Sequence, residues 1–103
     1  MSTVTIFLKV SNSKRGEFLQ TIESFVSDLK QEKGFKKSST YQDVNNPNVF
    51  HLVQEWQTND DLEAYLKSEH FRILIGTLKV LCEESEIRYR MISYDMGELV
   101  HEF

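Results

Sequence analysis

The periodicities along this chain predict an α+β domain, ferredoxin-like, with elements in the order β-α-β-β-α-β around an antiparallel sheet. Three observations predict it. Val4, Ile6, Leu8 and Val10 alternate with Thr3, Thr5, Phe7 and Lys9, the two-residue period of a strand. Two later segments carry apolar residues at helical spacing, each preceded by side chains suited to capping. Two further strand patterns flank Asn45-Asn46-Pro47-Asn48, a run of turn formers that reads as a hairpin.

Each element has its own local reason. The first strand is purely apolar on one face and mixed on the other. Ser11-Asn12-Ser13 supplies capping groups for a helix in which Phe18, Ile22, Phe25 and Leu29 recur, with Leu19 and Val26 beside them, to about Glu32. Gly34 supplies a stop that accepts positive φ. Strands are expected over residues 35–44 and 49–57. Thr58 with Asp61 three residues on has the form of a capping box, Asp standing for the usual Glu. Leu62, Tyr65 and Leu66 form a stripe behind it. Ser68 caps a second segment striped by Phe71, Leu74, Ile75, Leu78, Leu81 and Cys82. A last strand is expected over residues 86–94, followed by a short, partly apolar tail over 95–103.

Composition removes several classes of function. At 103 residues the chain is one domain, 1–103. A net charge of -4 and a pI near 5.3 oppose nucleic-acid binding, which wants a basic face. The central strands, Phe-Lys-Lys-Ser-Ser-Thr-Tyr and Val-Phe-His-Leu-Val, also lack the exposed-aromatic pattern of an RNA-reading sheet. The apolar stretch 71–82 is interrupted by Arg72, Gly76, Thr77 and Lys79, far short of the roughly 20 residues a membrane span needs. No signal-peptide pattern follows Met1, so a cytoplasmic location is expected. One cysteine, Cys82, excludes an internal disulfide, and three histidines without close spacing give no metal motif. Gly16, Gly34, Gly76 and Gly97 are isolated, so no phosphate-cradling loop is present.

A set of residues together resembles the antibiotic biosynthesis monooxygenase family, small dimeric α+β barrels. They are Lys14-Arg15 and Phe18 in the first helix, Gly34 at its end, Tyr41 in the second strand, and Asp43 and Pro47 around the turn. Glu55-Trp56 closes the third strand, and the junction Ser68-x-His70-Phe71 opens the last helix. The match covers roughly residues 4–92. Members include cofactor-independent monooxygenases acting on aromatic polyketides, quinol oxidases, haem-degrading enzymes and proteins without known activity, so the fold alone does not decide chemistry. In the cofactor-independent enzymes the electron-rich substrate is itself the reductant, and the protein binds a ring, excludes water and steers a proton. Haem-degrading relatives place a Trp and a haem-ligating His where this chain has Tyr65 and Ile75, so the resemblance implies no haem chemistry. Many quinol-oxidising relatives carry His at the position of Tyr65.

The candidate site follows. Trp56, Tyr65 and His70 are the expected catalytic set, with no cofactor and no metal. Trp56 offers an indole N–H to a substrate oxygen, or serves as a core residue seating a helix. His70 offers an acid or base near neutral pH, or holds the helix junction. Tyr65 offers a phenolic hydroxyl. Tyr41, Phe71 and Phe7 complete the expected substrate-contacting set. Glu55 faces away from Trp56 and is expected to pair with Arg88 or Arg90. His51 shares that outer face, and His101 lies in the tail. The leading expectation is a cofactor-independent monooxygenase or quinol oxidase-like protein acting on a small aromatic or polyketide-type molecule with O2. The alternative is a non-catalytic ligand-binding or interaction module on the same barrel.

With helices on one side only, the other sheet face carries large groups such as Phe7. Such a patch is expected to pack on a second copy of the chain. The tail, through Leu99, Val100 and Phe103, is expected to reach across that homodimer. Sedimentation equilibrium of the full chain and of one lacking residues 96–103 tests both expectations. A dimer that loosens on deletion is the expected result. A monomer throughout the micromolar range ends the dimer reading, and an unchanged dissociation constant ends the tail reading.

Overall fold

The computed structural model describes residues 1–82, 88–93 and 99–102. The chain runs β1 (Ser2–Lys9), α1 (Arg15–Leu29), β2 (Phe35–Gln42), β3 (Val49–Trp56), α2 (Asn59–Leu66), α3 (Glu69–Leu81), β4 (Arg88–Ser93) and β5 (Leu99–Glu102). The strands form one sheet in the order β2-β3-β1-β4-β5, and every neighbouring pair is antiparallel. This is the expected α+β ferredoxin-like arrangement with one addition. Leu99–Glu102, read above as tail, pairs with β4 as an edge strand. Glu86, Ile87, Tyr94 and Phe103 lie outside the described residues.

Alternation in β1 and β3 divides the sheet into two unlike faces. Val4, Ile6 and Leu8 on β1 and Phe50, Leu52 and Trp56 on β3 are buried against the helices. Phe18, Ile22 and Leu29 of α1 meet them from above, as do Leu74 and Leu78 of α3. Burying each such side chain contributes roughly 1.5–3 kcal/mol, so this shared interior is the main stabilising feature. The opposite face carries Thr5, Phe7, His51 and Val53, only half-buried, and Tyr41, which is exposed.

Local chemistry places the ends. The β2–β3 turn is held by Asp43, whose carboxylate accepts from the N–H groups of Asn45 and Asn46 at 2.8 and 3.1 Å. Arg15 Nε donates to the Pro47 carbonyl at 3.1 Å, tying that turn to the start of α1. The entry to α1 differs from expectation. The chain passes through a short 3-10 turn, Asn12–Lys14, and the Ser11 hydroxyl makes no capping bond. The two later caps are realised: Thr58 Oγ1 accepts from Asp61 N at 3.1 Å, and Ser68 Oγ accepts from Phe71 N at 3.2 Å.

Sheet order also corrects the expected partner of Glu55. Its register neighbours are Thr3 and Lys37, whereas Arg88 and Arg90 sit on β4 beyond β1. Periodicity gives the face of a residue but not the strand beside it.

Gly34 is a hinge in this frame. It has φ 82°, and a Cβ there would collide with the Asp61 side chain at the start of α2. Its carbonyl accepts from Gln57 N at 2.7 Å, joining the start of β2 to the end of β3. Gly34→Ala therefore combines left-handed strain with displacement of Asp61. We expect a loss of about 1–3 kcal/mol in urea unfolding; an unchanged midpoint would contradict this account.

Candidate functional site

The inward row of β3 reads Phe50, Leu52, Gln54, Trp56. Its last member reaches the place where the sheet meets the α2–α3 junction. Tyr65, one turn before that junction, stacks on Trp56 with ring centroids 4.6 Å apart and planes inclined by 26°. Phe35 meets the other side of the indole edge-on at 5.6 Å. Phe71 packs against Tyr65 at 5.2 Å. Since Trp56 and Tyr65 are in direct contact, no ring can slide between them; a ligand would meet their polar edges.

The junction itself aims His70. Ser68 Oγ donates to the Tyr65 carbonyl at 2.6 Å while accepting from Phe71 N. That closes α2 and opens α3 within three residues, and it turns the imidazole inward. The ring sits between Phe25, at 5.4 Å, and Tyr65, at 6.1 Å. Glu32 places a carboxylate oxygen 3.7 Å from His70 Nδ1.

The polar atoms of this cluster find little inside the protein. Trp56 Nε1, Tyr65 Oη, both ring nitrogens of His70 and Gln54 Oε1 are buried without a hydrogen-bond partner. Each such group costs about 1–3 kcal/mol when unsatisfied, and most proteins keep few of them. Burial is the main cause that pushes the Tyr65 hydroxyl up to about 12. Gln54 lies close enough to favour the ionised form without making a hydrogen bond of good geometry, and the Glu32 charge opposes ionisation. At neutral pH, Tyr65 is therefore a hydrogen-bond donor and not a base. The cluster can donate from an indole and a phenol and exchange a proton at an imidazole.

The structure thus brings together Trp56, Tyr65, His70 and Phe71 and separates the other two candidates from them. Phe7 and Tyr41 lie on the opposite sheet face, because each stands at an outward register position. There Phe7 meets His51 edge-on at 4.5 Å, and Tyr41 pairs in register with His51. Two residues of the inner cluster escaped the sequence reading. Gln54 had a signal: it is a polar residue in the apolar row of an alternating strand. Glu32 had none, since only the packing of α1 against the junction brings it to His70. Among the described residues, no group of three His, Cys, Asp or Glu could hold a metal ion, and no helix is long and apolar enough to cross a membrane. Cys82 is buried, and burial raises its thiol pKa.

A single antiparallel sheet with helices on one face and an aromatic cluster beneath them defines the class of this domain, a small α+β ferredoxin-like fold. The chain belongs to the antibiotic biosynthesis monooxygenase family, whose sequence pattern matches residues 1–75. It is similar to YcnE of Bacillus subtilis strain 168, provisionally named a monooxygenase, at 25% identity over 81 residues, covering 79% of this chain and 85% of that protein. A conserved protein from Methanosarcina mazei shares the fold with a TM-score of 0.77 at 23% identity, covering 87% of this chain and 88% of that one. SnoaB, a cofactor-independent oxygenase from Streptomyces nogalater solved in mutant form, does so with a TM-score of 0.77 at 14% identity, covering 89% and 90%.

The Tyr65 shift has a stability consequence with a definite sign. Its folded pKa lies above the unfolded value of 10.0. The contribution is therefore complete below pH 10 and is lost as pH rises towards 12. In that window the wild type should lose on the order of 2–3 kcal/mol more than Tyr65→Phe. Parallel urea unfolding of the two proteins from pH 8 to 12 measures it; parallel curves would show that the hydroxyl is not buried as described.

Proposed function

We propose that this protein is a cofactor-independent monooxygenase or quinol oxidase-like enzyme, acting on a small aromatic or polyketide-type substrate with O2. The observation that carries the reading is the group of buried, unpartnered polar atoms on Trp56, Tyr65 and His70. An enzyme whose substrate supplies the electrons needs only donors to hold ring oxygens and one group to take a proton. In this scheme His70 accepts the proton of a phenolic or enolic O–H. Trp56 Nε1–H and Tyr65 O–H donate to the oxygens on which negative charge develops. The deprotonated substrate then passes electrons to O2. For a quinol the balance is quinol plus O2 to quinone plus H2O2. For a ring CH2 it is CH2 plus O2 to C=O plus H2O. Phe71 would border the ring, and Glu32 would steady the imidazole once it carries a proton.

The active unit in this reading is a homodimer joined through the sheet face that carries Phe7, His51 and Tyr41. Those residues then act in assembly and not in contact with substrate. The sedimentation experiment described above decides that assembly.

A second reading is a non-catalytic ligand-binding module. One observation favours it: Tyr65, at a position where many quinol-oxidising relatives carry His, is fully stacked on Trp56. Oxygen uptake by metal-stripped protein with a panel of quinols and polyphenols separates the two, with heat-denatured protein correcting for autoxidation. We expect catalysed uptake that His70→Ala lowers by about 10²–10⁴-fold, and that Trp56→Phe lowers by roughly tenfold or more. Both variants should remain folded. No uptake above the control with any substrate would leave the binding module as the function.

A further inference from the structure

The outer side of the α2–α3 pair carries a groove that shares only Phe71 with the inner cluster. It is shallow, about 380 Å3 in volume. Leu66, Phe71 and Ile75 form its apolar floor, and Lys67, Arg72 and Lys79 stand around it. On α3 the spacing 72, 76, 79 keeps Arg72, Gly76 and Lys79 on one helical stripe, with the two cations about 10 Å apart along the axis.

Two independent features mark this groove, and the second is not shared by the hollow that Lys30, Lys36 and Lys37 line beside Val26 and Phe35. The first is charge. In a chain of net charge -4, three cations collect around one apolar hollow. Among the described residues none of their side chains has an ion-pair or hydrogen-bond partner. Glu63 and Glu69 are close in sequence, yet neither makes an ion pair with them. The second is Gly76. A glycine inside a helix costs about 1 kcal/mol relative to alanine, and packing among the described residues gives no reason for it here. A Cβ at Gly76 would meet nothing within 4 Å. The missing side chain deepens the groove between Arg72 and Lys79.

We propose that this groove binds a small amphipathic anion, a carboxylate or sulfonate carried on an apolar ring or chain. The apolar body would lie on Phe71 and Ile75 across Gly76, with the acid group at the Arg72 guanidinium. That planar fork suits a carboxylate or sulfonate better than an ammonium does. Binding here is independent of turnover at His70.

Anilinonaphthalene sulfonate is the probe, with its uncharged parent phenylnaphthylamine as the control. Fluorescence titration follows affinity, and the Gly76 amide signal in nitrogen–proton NMR spectra reports place. The sulfonate should bind saturably at one site, shift Gly76, and bind about tenfold tighter than the neutral control, as one charge-assisted hydrogen bond would give. Arg72→Gln should weaken it by a similar factor. Gly76→Leu should abolish it without lowering the melting temperature, since leucine favours the helix and fills the groove. Trp56→Phe should leave it intact, which separates this site from the inner cluster. The proposal is overturned by equal affinity for the neutral control, by wild-type binding in Gly76→Leu, by loss of binding in Trp56→Phe, or by an unshifted Gly76 amide.

Discussion

The stack of Trp56 on Tyr65 is the contact on which the rest of the interior depends. Trp56 ends strand β3, and Tyr65 stands in the last turn of α2, so one pair of rings fixes where α2 lies on the sheet. The α2–α3 junction follows from that position. Ser68 then closes one helix and opens the next over the Tyr65 carbonyl, which sets the direction of His70. Gly34 completes the arrangement from the other side, because only a residue without a Cβ fits between Gln57 and Asp61 there.

This arrangement costs stability. Indole, phenol, imidazole and amide atoms lie in the interior without a hydrogen-bond partner, the imidazole having only the Glu32 carboxylate at 3.7 Å. Unsatisfied groups of this kind cost about 1–3 kcal/mol each, against a typical net stability of 5–15 kcal/mol. A fold selected for stability alone would replace them with Phe, Leu or Met. In the function proposed above, those atoms wait for polar atoms of a ligand. Burial keeps the Tyr65 hydroxyl protonated at neutral pH.

The sheet separates two unlike surfaces. Its inner face and the helices enclose the aromatic cluster. Its outer face offers Phe7, His51 and Val53, half-buried within the chain and suited to contact with a second sheet. The cations are unevenly placed as well, with Lys67, Arg72 and Lys79 around the α2–α3 groove and Lys30, Lys36 and Lys37 around a second hollow. The alternation of two strands makes the faces unlike.

The sequence by itself determined the element order, the faces of β1 and β3, the caps at Thr58 and Ser68 and the family, because these follow from local spacing and from side chains near one another in the chain. It also marked Trp56, Tyr65, His70 and Phe71, which lie within sixteen consecutive residues and meet through a single helix junction. Alternation already set Phe7 on the outer face, but the sequence could not separate Tyr41 from that cluster without strand register, nor place Glu55 away from Arg88 and Arg90 without strand order. Leu99–Glu102 is too short to declare itself a strand without β4 beside it. Glu32 was invisible for the same reason: its partner is 38 positions away, and only the packing of α1 over the junction joins them. Local periodicity records which way a side chain points; what it meets there is decided by elements far off in the chain.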